Sequence, residues 1–289
     1  MNITITTIKR ISALALMTVA VAGLTACSGY GGTFSLFSVG GMVSDTIELD
    51  EYEELEVDMS SYDLIISRGS AYGIEYVAEN GREPKVTNKD GKLQIKQPSK
   101  PLFSLGVKLG KGDAYYKIFV PSDAKEISLK VHSSSGDVTL DRIPVSGEVK
   151  TSSGDILIND IEGSMLAVET SSGEIDADKV KTKVLSGGTS SGEVELFRIE
   201  ADDITCNTSS GDISINNSEA ATVTCHASSG EVEIELNGDP DEYSYYADTS
   251  SGDIKVNGTS AKKEFVKENN KGGKIAVDTS SGDIQIEVK

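Results

Sequence analysis

The sequence predicts an all-β protein, a parallel β-solenoid (single-stranded β-helix) with coils of about 19 residues. Three observations predict it. Ser-Ser-Gly-(Asp/Glu) occurs eight times, with its glycines at Gly136, Gly154, Gly173, Gly192, Gly211, Gly230, Gly252 and Gly282, at intervals of 18, 19, 19, 19, 19, 22 and 30. A near-constant period of this size marks stacked repeats, each too small to bury a core alone. Apolar and polar residues alternate at fixed distances from each glycine, which is the period of a strand with one face in and one face out. Aromatics are 6% of the 289 residues and Trp is absent, so the core is built from Val, Ile and Leu.

The columns give the cross-section of one coil. Two residues after the glycine stand Val138, Ile156, Ile175, Val194, Ile213, Val232, Ile254 and Ile284. Four after it stand Leu140, Ile158, Ala177, Leu196, Ile215, Ile234, Val256 and Ile286, with mostly polar residues such as Thr139, Asp176 and Glu195 between. A second strand precedes the glycine, with Leu166, Leu185 and Ile204 seven before it and Val168, Gly187, Cys206 and Cys225 five before it. Ser-Ser-Gly supplies the bend between the two strands, its glycine available for positive φ. Ile143, Ile161, Val180 and Ile199 mark a third inward point. A hairpin meander does not repeat residue type at constant phase, whereas stacked coils do, each column becoming a ladder at ~4.8 Å spacing. Thr151, Thr170, Thr189, Thr208, Thr249 and Thr279, three before the glycine, fit such a ladder through methyl packing and hydroxyl hydrogen bonds.

Residues 129–289 form the regular repeat, and residues 44–128 form irregular β coils and a cap. In the latter, Ile47–Leu49, Leu55–Val57, Leu64–Ile66, Ile74–Tyr76, Leu93–Ile95 and Ile118–Val120 are short β-type pieces, and Ser60–Ile66 is a degenerate copy of the repeat. Pro101–Gly112 reads as a loop excursion, and Ser260–Asn270 as the insert that lengthens the last interval, with Ser260 placed to cap a short helix. The chain stops directly after Ile284–Val288 with no cap following it. The 260–270 insert or another molecule is expected to cover that end, and weak end-to-end self-association follows from it.

Residues 1–26 read as a lipoprotein signal peptide. Lys9 and Arg10 are followed by an apolar stretch, Ile11–Leu24, of 14 residues. That is shorter than the ~20 needed to span a bilayer and fits the apolar region of a secretory signal. Leu24-Thr25-Ala26-Cys27 resembles the lipobox of bacterial lipoproteins, which implies cleavage before Cys27 and lipid attachment to it. Two or three acyl chains hold a protein on a membrane where one does so only marginally. Residues 27–43 then form the lipidated cysteine and a Gly/Ser-rich tether. In it, Phe34, Leu36 and Phe37 either lie at the membrane interface or cover one end of the domain.

The repeated SSGD/E followed by an aliphatic-x-aliphatic strand, together with Ile118-Phe119-Val120-Pro121, resembles the putative-adhesin family of bacterial β-strand-repeat lipoproteins, a domain of unknown function. The likeness covers about 44–289. It implies the fold, and an envelope role, since relatives accompany envelope-stress signalling systems. It supplies no catalytic residues.

Net charge is −19, from 46 acidic and 27 basic residues, and loss of Lys9 and Arg10 takes it to −21. A polyanion such as nucleic acid is excluded as partner, and an anionic membrane surface repels the domain without a dedicated anchor. Three candidate sites remain. Asp137, Asp155, Glu174, Glu193, Asp212, Glu231, Asp253 and Asp283 form one acidic column. Neighbours in it repel by ~1 kcal/mol in water, which Ca²⁺ would offset; a solvated turn is the simpler account, because the nine-residue pattern of Ca²⁺-binding repeats is absent. Cys206 and Cys225 stand one repeat apart, within disulfide reach if stacked, and two small buried thiols are an equally good account. Asp176, Glu195 and Glu233, with Lys255 nearby, would be the carboxylates of a polysaccharide-active β-helix enzyme, but ordinary solubilising surface accounts for them better. The reading is therefore a non-enzymatic, extracytoplasmic, lipid-anchored binding or envelope-scaffold module. A regulatory or sensory partner in an envelope-stress system is the alternative. An envelope protein or a polysaccharide is the expected partner, and no cofactor is required.

Overall fold

The computed structural model describes residues 37–39, 42–99 and 114–289. The expected signal peptide, Cys27, the first part of the tether and Pro101–Gly112 lie outside the described residues. Phe37–Val39 and Met42–Glu48, which overlap the expected tether, are strands. The described residues form an all-β, solenoid-like structure whose 24 strands belong to one hydrogen-bonded sheet, mostly parallel, with a single helical turn at Pro240–Glu242. No helix among the described residues is long and apolar enough to cross a membrane.

Each regular coil contributes one strand to each of two faces. On the first face Ile156, Ile175, Val194, Ile213 and Val232 stand directly side by side, each 19 residues from the last. On the second, Leu166, Leu185, Ile204 and Val223 do the same. Burial follows the alternation, so that Ile175, Ala177 and Val180 are at most 1% exposed while Asp176 and Lys181 face outward. The inward residues of both faces form one core cluster. β-branched side chains suit this pleated, half-buried setting. The turn between the faces needs a left-handed residue, six after the repeat glycine. Arg142, Asp160, Lys179, Arg198 and Asn217 take it, with φ of 50–57°. Ile143, Ile161, Val180 and Ile199 follow immediately and point inward, each at most 2% exposed.

The repeat glycines themselves do not have positive φ, which corrects the expectation from the sequence. They are required by close approach. A Cβ on Gly154, Gly173, Gly192, Gly211 or Gly230 would lie 1.9–2.1 Å from the carbonyl oxygen of the glycine in the preceding coil, far inside contact distance.

Spatial order departs from chain order at both ends. Ile284–Val288 pairs with Val232–Leu236 on one side and Ile254–Val256 on the other. Gly273–Ser281 likewise lies between Ile213–Ser229 and Tyr243–Ser251. The coil carrying Gly282 is thus inserted between those of Gly230 and Gly252. The expectation that Ile284–Val288 is the open end is overturned, and with it the premise for end-to-end contact there. The 260–270 insert is strand, not helix. Thr259–Ala261 and Glu264–Lys267 add antiparallel to Ile254–Val256 and Tyr243–Ser251, and these short strands close the stack. Asn257-Gly258, both with positive φ, make the tight turn into the first of them.

The N-terminal end uses the same device. Asp63–Gly69 lies between Tyr115–Pro121 and Val138–Asp141, and Glu54–Asp58 between Lys92–Lys96 and Ile127–His132. Antiparallel strands then follow outward: Gly73–Glu79, Met42–Glu48 and Phe37–Val39 on one face, Lys85–Lys89 on the other. Short, antiparallel or Lys-bearing edges blunt strand-to-strand aggregation.

Candidate functional site

The Ser-Ser-Gly corner is where chemistry-bearing residues recur. A threonine stands three before six of the eight glycines and is buried, at 3–7% exposure in Thr151, Thr170, Thr189 and Thr208. The hydroxyls of Thr170 and Thr189 each serve two coils. Thr189 Oγ1 accepts from the N–H of Gly192 (3.1 Å) and donates to the carbonyl of Gly173 in the preceding coil (3.0 Å). Thr170 repeats this with Gly173 and Gly154 (both 3.1 Å). The expected threonine ladder is therefore a side-chain-to-backbone relay, not a row of hydroxyls bonded to one another.

The acidic column is exposed throughout. Its aspartates have a specific structural task. The N–H of Asp155 donates to Asp137 Oδ1 (2.9 Å), that of Glu174 to Asp155 Oδ1 (3.0 Å), that of Glu231 to Asp212 Oδ1 (2.7 Å) and that of Asp253 to Asp283 Oδ1 (2.8 Å). Each such carboxylate caps the next coil, a charge-assisted bond of the stronger kind. Glu193 also belongs to the column. Among the described residues no group of three or more His, Cys, Asp and Glu side chains is placed to hold a metal ion.

One coil face outward from this corner, Asp176 and Glu195 are register neighbours. Partial burial raises both carboxyls above their ordinary range. Asp178 and Glu174 add to it at Asp176, and Asp176 and Glu193 add to it at Glu195. Glu233 and Lys255 are separated by Gln285, whose Nε2 donates to Glu233 Oε1 (3.3 Å), so those four residues do not converge. A raised carboxyl is penalised in the folded state when ionised. The penalty is complete above the folded pKa and absent below the unfolded one, so it grows as pH rises. Asp176→Asn is therefore expected to raise the melting temperature at pH 7, with a gap to the parent that narrows as pH falls toward 4. Thermal melts across that range check it, and a gap independent of pH would exclude the charge as its cause.

Cys206 and Cys225 are register partners, 0% exposed, and both are free thiols in this structure. A hydrogen bond to Cys206 and burial push the Cys225 thiol well up. His226 is on the opposite, exposed side and bonds to Asp278. Two open grooves flank the sheet. One of about 540 Å³ is lined by Glu231, Asp253, Lys255, Ser260, Lys262 and Asp283. The other, about 470 Å³, is lined by Glu126, Ser128, Ser146, Ser164 and Met165. In it Glu126 accepts from the hydroxyls of Ser146 and Ser164, which hold its carboxyl below the usual range.

Stacked coils joined through Thr, Gly and Asp at one corner define a solenoid-like repeat protein with outward polar ladders. The chain belongs to the Toastrack DUF4097 family, whose model matches residues 52–287. The structure is similar to a crystal structure described as a putative adhesin from Parabacteroides merdae, with TM-score 0.50 and 15% identity, covering 86% of this chain and 97% of that one. One described as a putative adhesin from Bacteroides fragilis gives TM-score 0.49 and 13% identity over 84% and 96%. A putative cell adhesion protein from Clostridium sporogenes gives 0.30 and 18% over 86% and 99%. No curated protein matches the chain.

Proposed function

We propose that this chain is a non-enzymatic binding or scaffold module, held on the outer side of the cell membrane by lipid on Cys27. Its scaffold reads as a single-stranded β-helix with coils of about 19 residues, supported by the constant register offsets. The observation that carries the functional reading is the same register. Outward side chains recur in straight columns across the faces, a surface matched to an elongated partner such as an envelope polysaccharide lying along the stack. The Parabacteroides merdae relative, described as a putative adhesin, fits the same role.

Two measurements test this. Cys27→Ser is expected to abolish palmitate labelling and move the chain out of the membrane fraction; a variant still labelled and membrane-bound overturns the anchor. The full chain in detergent micelles is expected to co-sediment with purified peptidoglycan. A chain left in the supernatant overturns the polysaccharide reading.

A further inference from the structure

We propose that Cys206 and Cys225 close as a disulfide that staples two neighbouring coils, which rests on the extracytoplasmic reading above. The two residues are direct partners in a parallel register of twelve pairs between Val194–Ile213 and Thr208–Ala227. Register partners in adjacent strands lie ~4.8 Å apart at Cα, inside the 4.4–6.8 Å that a disulfide spans. Both side chains point into the core, where an alternating face allows no other direction. The neighbouring position in the column is Gly187, which sets no side chain against Cys206 Sγ.

The oxidant is a protein or small-molecule disulfide of the exported compartment. The thiolate of one cysteine attacks it to form a mixed disulfide. The second thiolate then displaces the carrier. The two thiols together lose two protons and two electrons, and the carrier's disulfide becomes a dithiol. Both cysteines are wholly buried in the folded stack, so this exchange precedes closure of the coil. Afterwards burial protects the pair from reductants as well. The bond closes a loop of 18 intervening residues. It lies next to the coils where chain order and spatial order part company, so unravelling from the C-terminal end stops at it.

The test is refolding of the reduced full chain with an excess of oxidised glutathione, followed by unfolding in denaturant and alkylation without reductant. The expected product carries no label on Cys206 or Cys225, is 2 Da lighter for that pair, and melts about 5 °C higher than the reduced chain. Label or glutathione on both cysteines overturns the proposal. Membrane fractionation of the parent cells tests the export reading separately, because the refolding result does not depend on the compartment. Cys206→Ala/Cys225→Ala is expected to keep the same melting temperature with and without reductant; a shift that persists there assigns the effect elsewhere and also overturns the proposal.

Discussion

Gly192→Ala is expected to destabilise the protein by about 3 kcal/mol or more and lower its melting temperature by roughly 10 °C. Two effects of the substitution oppose one another. Alanine restricts the unfolded chain, which alone stabilises by about 0.4–1 kcal/mol where the native conformation tolerates it. Gly192 sits at a turn and its φ is not in the left-handed region, so a local reading predicts a gain. The neighbouring coil reverses the sign. The new Cβ would stand 1.9 Å from the carbonyl oxygen of Gly173 and 2.6 Å from its carbon. Backbone cannot yield as the end of a flexible side chain does, so the two coils must part, together with the Thr189 relay bonds beside them. Ser191→Ala, one residue away at an exposed position, is expected to change stability by less than about 0.5 kcal/mol. Denaturant unfolding of the pair decides the matter, and a neutral or stabilised Gly192→Ala would show that the coils do not stack at this corner.

Thr189→Val is expected to cost about 2–3 kcal/mol although it conserves shape. Valine keeps the methyl packing and has the higher strand preference. It removes both the acceptor for the Gly192 N–H and the donor to the Gly173 carbonyl. Each backbone group is then left without its partner at a buried position, which costs ~1–3 kcal/mol per group. Thr189→Ser retains the hydroxyl and should recover most of the loss. Thr205→Val, on the outward side of the second strand in the next coil, separates the hydroxyl's role from any general preference. If Thr189→Val and Thr205→Val unfold alike, the relay contributes nothing. The column has one position without a hydroxyl. Ala227 replaces the threonine in the Gly230 coil, where the Gly230 N–H bonds instead to the carbonyl of Ser281.

The rung was legible in the sequence because stacking copies one local environment many times. Val138, Ile156 and Ile175 are apolar for the same reason, and so their phase stands out. The reason for the glycine was not legible, since a residue needed for positive φ and one needed for close approach look the same in a single sequence. The distinct task of aspartate was hidden behind its pooling with glutamate. In the column the carboxylates that reach a neighbouring coil's N–H are the shorter ones, those of Asp137, Asp155, Asp212 and Asp283. The left-handed column Arg142, Asp160, Lys179, Arg198 and Asn217 carried a faint signal, being uniformly polar and, in the first four, directly before an aliphatic residue. The inserted coil was beyond pattern-reading altogether. Thr249-Ser-Ser-Gly-Asp-Ile and Thr279-Ser-Ser-Gly-Asp-Ile are identical, so nothing in them states which one stacks on Gly230. Only the intervals of 22 and 30 hinted that the chain goes past a slot and returns.

That identity has a consequence in time. A chain made from its N-terminus delivers Tyr243–Val256 to the growing edge before Gly273–Val288 exists. The early arrival carries the same stacking motif as the rightful occupant, so it fits the edge left by Val223 and Val232. A coil seated there first would have to give way to admit Gly273–Val288 between. At the other end Glu54–Gly69 is synthesised before either of the segments that finally flank it. The first and last coils are each held between two others, so neither end of the repeat can be completed by simply adding the next residue emerging. The order of synthesis and the order of stacking therefore disagree at both ends of this protein.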